Sequence, residues 1–236
     1  MIVSFVSNKG GTGKTTACVN VAACLSKKEK RTLIIDLDPI ASSTSSMGIK
    51  AEEVEEFSMQ FVAKKEKKLE DIIFEIENLG IHIAPSHRGQ LFHRIKKDFL
   101  SEDVNGIVKD YDFILIDTPP GFDEISREAM AASDVPIAAL NESIFAVENL
   151  PLLREWSASM GKSVNCAILS VVNRRSRVSK GVIKTLSREF KHSFIVPFDK
   201  RVPESQALGL PLVYMGKRSN ALKSYTRVAD YLLEMR

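Results

Sequence analysis

The stretch SNKGGTGKTT, Ser7 to Thr16, holds two lysines, three glycines and three threonines in ten residues. Its end, Gly13-Lys14-Thr15, completes the pattern G-x-x-x-x-G-K-[S/T], with Asn8 standing where the first glycine would be. In that pattern backbone N–H groups and a helix N-terminus cradle phosphates. Gly10, Gly11, Thr12 and Gly13 would form the cradle, and Lys14 would reach the β- and γ-phosphates. The Thr15 hydroxyl would ligate Mg²⁺, and Thr16 would offer hydroxyl and amide to the α-phosphate. One lysine satisfies such a loop. Lys9, on its rim, is redundant inside one subunit and makes sense if it points outward to a second nucleotide.

Three carboxylates sit where a phosphate site can use them. Asp117 closes the apolar run Phe113–Ile116, at the carboxyl edge of a sheet, where it can hold Mg²⁺ through a water. The turn Thr118-Pro119-Pro120-Gly121 follows it. Asp36 and Asp38 flank Leu37 just past a second apolar run, two residues apart, so their side chains can point the same way. His82, His87 and His93 are irregularly spaced and lack the cysteine or carboxylate partners of a zinc site.

These residues need a scaffold, and the apolar pattern describes one. Strand-like runs occur at residues 2–6, 32–35, 81–84, 113–116, 135–139, 166–172 and 194–196, several of them apolar throughout. Between them lie helical patterns at residues 15–26, 91–100, 124–132, 147–160 and 182–190, with a last one at 220–236. The charged stretch 52–77 keeps periodic apolar positions and reads as surface helices. Alternating strands and helices predict an α/β fold: a doubly wound, mostly parallel β-sheet with helices on both faces, in one domain over 1–236.

The 236 residues are 44% hydrophobic and 27% charged, an ordinary globular balance. No apolar run is long enough for a membrane span, and the start shows no leader pattern. Three cysteines, Cys18, Cys24 and Cys166, are odd in number and lack C-x-x-C spacing, which fits a reduced, cytoplasmic protein. Cys18, Cys24 and the single Trp156 read as packing residues. The net charge of +3 is unevenly spread: residues 1–140 carry 22 acidic and 17 basic side chains, residues 141–236 carry 8 and 16. A basic excess on one part of a chain points to a polyanionic partner.

KGGTGKTT, Lys9 to Thr16, resembles the deviant Walker-A box of the ParA/MinD family of P-loop ATPases, whose mark is the early lysine. LIIDLDP (Leu33 to Pro39), DFILIDTPPG (Asp112 to Gly121) and the segment Ile195 to Met215 extend the likeness over nearly the whole chain. The resemblance implies ATP and Mg²⁺ as ligands and a nucleotide-sandwich homodimer in which each Lys9 contacts the partner's phosphates. It implies that Asp38 positions the attacking water, that Asp36 supports the metal-bound waters with Thr15 and Asp117, and that Thr118–Gly121 senses the γ-phosphate. It places Asn173 on the adenine edge, with Pro197, Phe198 and Asp199 packed on the base. Where the family commonly has Gln-Gly-Asn after the proline, this chain has Ile40-Ala41-Ser42.

Within the family, a ParA-type partition ATPase would bind DNA without sequence preference as an ATP dimer. It would be released by slow hydrolysis stimulated by a ParB-like partner, would segregate plasmid or chromosomal DNA, and would be nucleoid-associated when ATP-bound. Candidate DNA contacts are Arg175, Arg177, Lys180, Lys200, Arg201, Lys217, Arg218 and Lys223. The alternative is a MinD-like membrane-associated ATPase. That reading is weaker, because Leu222, Tyr225, Val228, Ala229 and Leu232 give the last helix the stripe of a core-packed element, with no further amphipathic segment expected after it. Nor is a preceding helix-turn-helix expected.

Overall fold

The computed structural model describes residues 1–88, 95, 98–173 and 176–236. Its centre is one eight-stranded sheet. The strands are β1 (Ile2–Val6), β2 (Thr32–Asp36), β3 (Phe74–Ile76), β4 (Ile81–Ala84), β5 (Phe113–Asp117), β6 (Val135–Asn141), β7 (Cys166–Val172) and β8 (His192–Pro197), in spatial order β3-β4-β2-β5-β1-β6-β7-β8. All neighbours pair in parallel except β3, which runs antiparallel to β4 at one edge.

The continuous apolar runs follow from covering on both faces. Alternate residues of each strand enter opposite layers. Val3, Phe5, Ile34, Phe113, Leu115, Ile137 and Ile168 face one side with α1 (Lys14–Ser26). The other face divides in two. Leu33, Ile35, Ile114 and Ile116 meet buried residues of α3 (Met59–Ala63), α4 (Phe99–Ile107) and α5 (Glu124–Ala132). Ala138, Leu140, Ala167 and Leu169 meet those of α7 (Leu150–Ala158) and α8 (Arg177–Glu189). Three short helices complete the set: α2 (Ser42–Ser46), α6 (Ile144–Glu148) and α9 (Arg201–Ala207). The last helix, α10 (Asn220–Glu234), buries Tyr225, Val228, Ala229 and Leu232 against α1's layer, as its stripe predicts.

The seven strands expected from the sequence are present, with ends one or two residues longer in places. The predicted helix at 147–160 is two helices, broken at Asn149, and Pro151 at the start of α7 suits a new first turn. The stretch 52–77 is not a set of surface helices: it forms 3₁₀ turns (Ala51–Glu53, Leu69–Ile72), the five-residue α3 and the edge strand β3. Its helical charge pattern is overridden by β4, whose free edge recruits Phe74–Ile76. Most of the predicted helix 91–100, with His93, lies outside the described residues; α4 begins at Phe99. Among the described residues no helix is long and apolar enough to cross a membrane.

Candidate nucleotide-binding site

Strand β1 lies at the middle of the sheet and ends in the loop Ser7–Gly13, which opens directly into α1. The loop's turn requires glycine at one point above all. Gly13 has φ +82°, and a Cβ there would lie 2.7 Å from Ser170 Oγ at the end of β7. Gly11 also has positive φ, +71°, but faces open space. Gly10 to Thr16 line a polar cleft together with Asp38, Ile40, Ser42, Ser46, Pro120 and Gln206.

Within the cleft Lys14 is almost fully buried. Burial pushes its pKa down, and the nearby Asp117 and Asp38 carboxylates oppose that shift. Those same charges favour its ammonium form. Asp117 and Asp36 are direct partners at the ends of β5 and β2 and lie on α1's side of the sheet. Both are fully buried, and burial pushes both pKa values up. For Asp36 the neighbouring Asp117 adds to the shift. For Asp117 the Thr15 and Ser43 hydroxyls and Lys14 oppose it.

The two acids are used differently. Asp36 accepts hydrogen bonds from the Asp38 N–H (3.0 Å), the Thr44 N–H (2.8 Å) and the Thr44 hydroxyl (2.7 Å), so it ties β2 to α2. Asp117 accepts from the Ser43 hydroxyl at 2.8 Å, while its Oδ1 is buried without a hydrogen-bond partner. A buried, unsatisfied carboxylate oxygen close to a second acid and the Thr15 hydroxyl is a hard-oxygen donor set that fits Mg²⁺.

Asp36 and Asp38, two residues apart, take different partners, and of the two it is Asp38 that lines the cleft. The chain leaves the extended conformation at Asp38, whose carboxylate accepts from the Ile40 N–H (3.0 Å) and the Ser42 hydroxyl (2.9 Å) and lines the cleft. Asp36 remains behind, under α2. Ala41, within the Ile40-Ala41-Ser42 segment, is left-handed at φ +56°, a conformation in which glycine avoids a penalty of roughly 1–2 kcal/mol. The serine-rich run Ser42–Ser46 supplies the acids' partners. Its hydroxyls directly after two aspartates were the sequence signal for that role. The Thr118–Gly121 segment is fastened to β1 through Thr118 Oγ1 to the Phe5 carbonyl (2.7 Å) and the Gly121 N–H to the Ser7 carbonyl (2.9 Å).

A second, apolar slot shares Gly13 and Thr16 with the polar cleft. Ser170, Val171, Val196, Pro197, Phe198, Asp199, Val202, Pro203 and Tyr225 complete its walls. Pro197, Phe198 and Asp199, which the resemblance assigns to the base, thus line this apolar slot. Asp199, however, is also a stitch. It accepts from Ser219 Oγ (2.8 Å), the Asn220 N–H (2.9 Å) and the Arg201 N–H (3.1 Å), and pairs with the Arg201 guanidinium at 3.3 Å. Burial pushes its carboxyl up, but the donors from Arg201, Ser219, Ala221 and Asn220 together hold it below its ordinary value.

Asn173 is exposed, donates its N–H to Glu142 at 2.6 Å, and does not line the slot. Val171, with φ +59° at a β-bulge between β7 and β8, forms that part of the wall instead. Gln206 bridges the two spaces by donating from Nε2 to Thr16 Oγ1 at 3.1 Å. No motif announces it, since 190 residues separate the pair.

Lys9 is exposed and does not line the cleft that Lys14 lines. Of the basic candidates, Arg177, Lys180, Lys200, Lys217, Arg218 and Lys223 are exposed, and none forms an ion pair among the described residues. They come from the segments after β7 and β8 and from the start of α10. Arg201 is half-buried and engaged by Asp199; Arg175 lies outside the described residues.

Comparison with known proteins agrees with this geometry. A family model described as "AAA domain" matches residues 1–171. The sporulation initiation inhibitor protein Soj of Bacillus subtilis is 27% identical, over 97% of this chain and 96% of its own. The chromosome partitioning protein ParA of Myxococcus xanthus is 24% identical, over 99% of this chain and 88% of its own. Among solved structures, the septum site-determining protein MinD of Pyrococcus horikoshii, complexed with Mg-ADP, superposes with a TM-score of 0.87 at 24% identity, covering 99% of this chain and 96% of that one. The phosphate loop, the parallel sheet that carries it and these full-length likenesses converge: the chain belongs to the ParA/MinD family of P-loop ATPases.

Proposed function

We propose that this ATPase is a partition-type switch in which ATP binding drives a sandwich homodimer that binds DNA without sequence preference. Slow hydrolysis, stimulated by a ParB-like partner, releases it, and the cycle segregates plasmid or chromosomal DNA. The observation that carries the reading is the division of labour between two lysines of one loop: Lys14 is buried inside the cleft and Lys9 stands outside it.

In this reading the loop amides of Gly10 to Thr16 and the Lys14 ammonium hold the phosphates, with the base in the slot beside Pro197 and Phe198. Thr15 and Asp117 would hold Mg²⁺, with Asp36 behind them. When bound, the ion neutralises charge on the β- and γ-oxygens. Asp38 orients the attacking water at the cleft wall. Asp36 keeps α2, and with it Ser42 and Ser43, in register. Lys9 of each subunit reaches the other's phosphates, as an arginine finger given in trans does, a contact that contributes ~10³–10⁵ in rate where it has been measured. The exposed cations at the β7–β8 end then face DNA phosphates, and the affinity falls steeply with salt.

Lys9→Ala is expected to bind ATP within a few-fold of the wild type but to lose the ATP-dependent dimer in sedimentation and its turnover. Normal dimerisation of that variant would refute the sandwich. Co-sedimentation with non-specific DNA and with anionic liposomes, each with ATP or ADP, separates the partition reading from a membrane one. Retention on liposomes alone would refute DNA as the partner.

A further inference from the structure

We propose that Phe145 is the positioning residue for Lys9: its ring holds the ammonium at the rim of the loop, outside the phosphate cleft of its own subunit. The inference rests on the reading that Lys9 acts on a partner's nucleotide. Lys9 Nζ lies 4.7 Å from the centroid of the Phe145 ring, inside the ~6 Å reach of a cation–π contact. No carboxylate pairs with Lys9 among the described residues. The cation's described partner is therefore a ring.

The ring is not there for the core. Phe145 is 61% exposed and its neighbour Ile144 60%, whereas Ala146 on the same helix is buried. The helix that carries the ring is nonetheless fixed. Ser143 Oγ accepts from the Ala146 N–H at 3.2 Å, and Asn149 Nδ2 donates to the Phe145 carbonyl at 2.6 Å. Just before the helix, Glu142 accepts from the Asn173 N–H at 2.6 Å and from the Ser179 hydroxyl, anchoring this corner to β7 and α8.

The lysine's backbone is fixed as well. Ser7 Oγ accepts from the Lys9 N–H at 3.3 Å and donates to the Lys9 carbonyl at 3.2 Å. What remains free is the four-carbon stem, and ordering a lysine side chain is among the larger rotamer costs. A ring that already confines the stem pointing outward removes part of that cost from dimerisation. It also keeps the second cation off the subunit's own phosphates. The expected effect is the size of an exposed cation–π contact, about two- to fivefold in an equilibrium constant.

The test keeps shape constant and changes the ring's electrostatics. Phenylalanine at position 145 is replaced by its mono-, di- and trifluorinated forms, and the dimer constant with AMPPNP is measured by sedimentation. The constant is expected to weaken stepwise with each fluorine, by two- to fivefold over the series, with Phe145→Trp no weaker than the wild type. In parallel, the Lys9 ε-proton resonances of the nucleotide-free protein are expected to be shifted upfield by the ring and to lose the shift in Phe145→Leu. A flat series, a series that tightens, or the absence of the upfield shift in the wild type overturns the proposal. A wild type that shows the shift but forms no nucleotide-dependent dimer sinks the sandwich reading and, with it, the purpose assigned to Phe145.

Discussion

The two halves of the site are built on opposite principles. The phosphate half, at the ends of β1, β2 and β5, is polar and crowded: two in-register aspartates and a lysine are buried there. The half at the ends of β7 and β8 is an apolar slot, and exposed cations lie on the segments that follow those strands and at the start of α10. One backbone position in each half makes the difference concrete. In the cradle, Gly13 has no room for a Cβ, whereas in the slot a β-branched residue, Val171, occupies a left-handed conformation that glycine would adopt without strain. At Gly13 the chain has no space for an added atom, and at Val171 it carries one at a cost. Left-handed strain is carried in both halves, at Ala41 beside Asp38 and at Val171 in the slot, whereas a Cβ is obstructed at Gly13 and not at Gly10 or Gly11.

Gly13→Ala should break this contrast most sharply. It forces a Cβ to 2.7 Å from Ser170 Oγ at φ +82°, so a loss of about 3 kcal/mol or more is expected in urea unfolding. Gly11→Ala, strained but unobstructed, should lose only ~1 kcal/mol. A cost at Gly13 no larger than at Gly11 would remove the claimed close approach. Asp199→Ala comes next. It strips the donors of Arg201, Ser219 and Asn220 of their acceptor, and a loss of about 2–3 kcal/mol is expected. Calorimetry with and without nucleotide would show whether the slot fails with it.

A fourth variant, Asp117→Asn, tests buried charge in the cradle. Because burial raises the folded-state pKa of Asp117 and Asp36, the ligand-free native protein holds more protons than the unfolded chain above the ordinary carboxylate range. Their protonated forms favour folding at low pH, and that stability is lost as pH rises through the raised pKa values. Thermal unfolding without ligand should therefore weaken from pH 5 to pH 8, and Asp117→Asn should flatten the slope by roughly 1 kcal/mol over that range. An unchanged slope would mean that the pair is already compensated. The smallest effect is expected at the slot. Val171→Gly should relieve the left-handed strain and gain up to about 1 kcal/mol, offset in part by glycine's greater freedom when unfolded. A net loss would show that the side chain contributes more by packing on the slot than it costs in strain.

The same contrast explains what was legible in the sequence. The cradle reads directly from Gly10 to Thr16 because its parts are contiguous and the chemistry of phosphate binding admits few residue types. Seven strands, most of them buried, read from their apolar runs. The edge strand β3 did not, since three partly exposed residues carry no period. Asp36 and Asp38 were singled out but not their different partners, because the turn at Asp38 depends on Ser42 and Ile40 rather than on strand alternation. Gln206, Glu142 and Phe145 were missed for one reason: each acts on a residue far away in the chain. Val171 could not be anticipated either, since nothing about a valine in an apolar run announces a bulge.

The edge strand has a consequence for solubility. A parallel sheet ending at β4 would offer a row of unpaired backbone groups to any neighbouring chain, and a protein that collects at high local density would be exposed to stacking. Phe74–Ile76 runs the other way, covers that row over only three residues, and places Glu75 opposite His82. The new edge is short, partly exposed and carries an acid, so it is a poor template for a further strand. Three residues read from the sequence as helical surface serve instead to keep the sheet from growing.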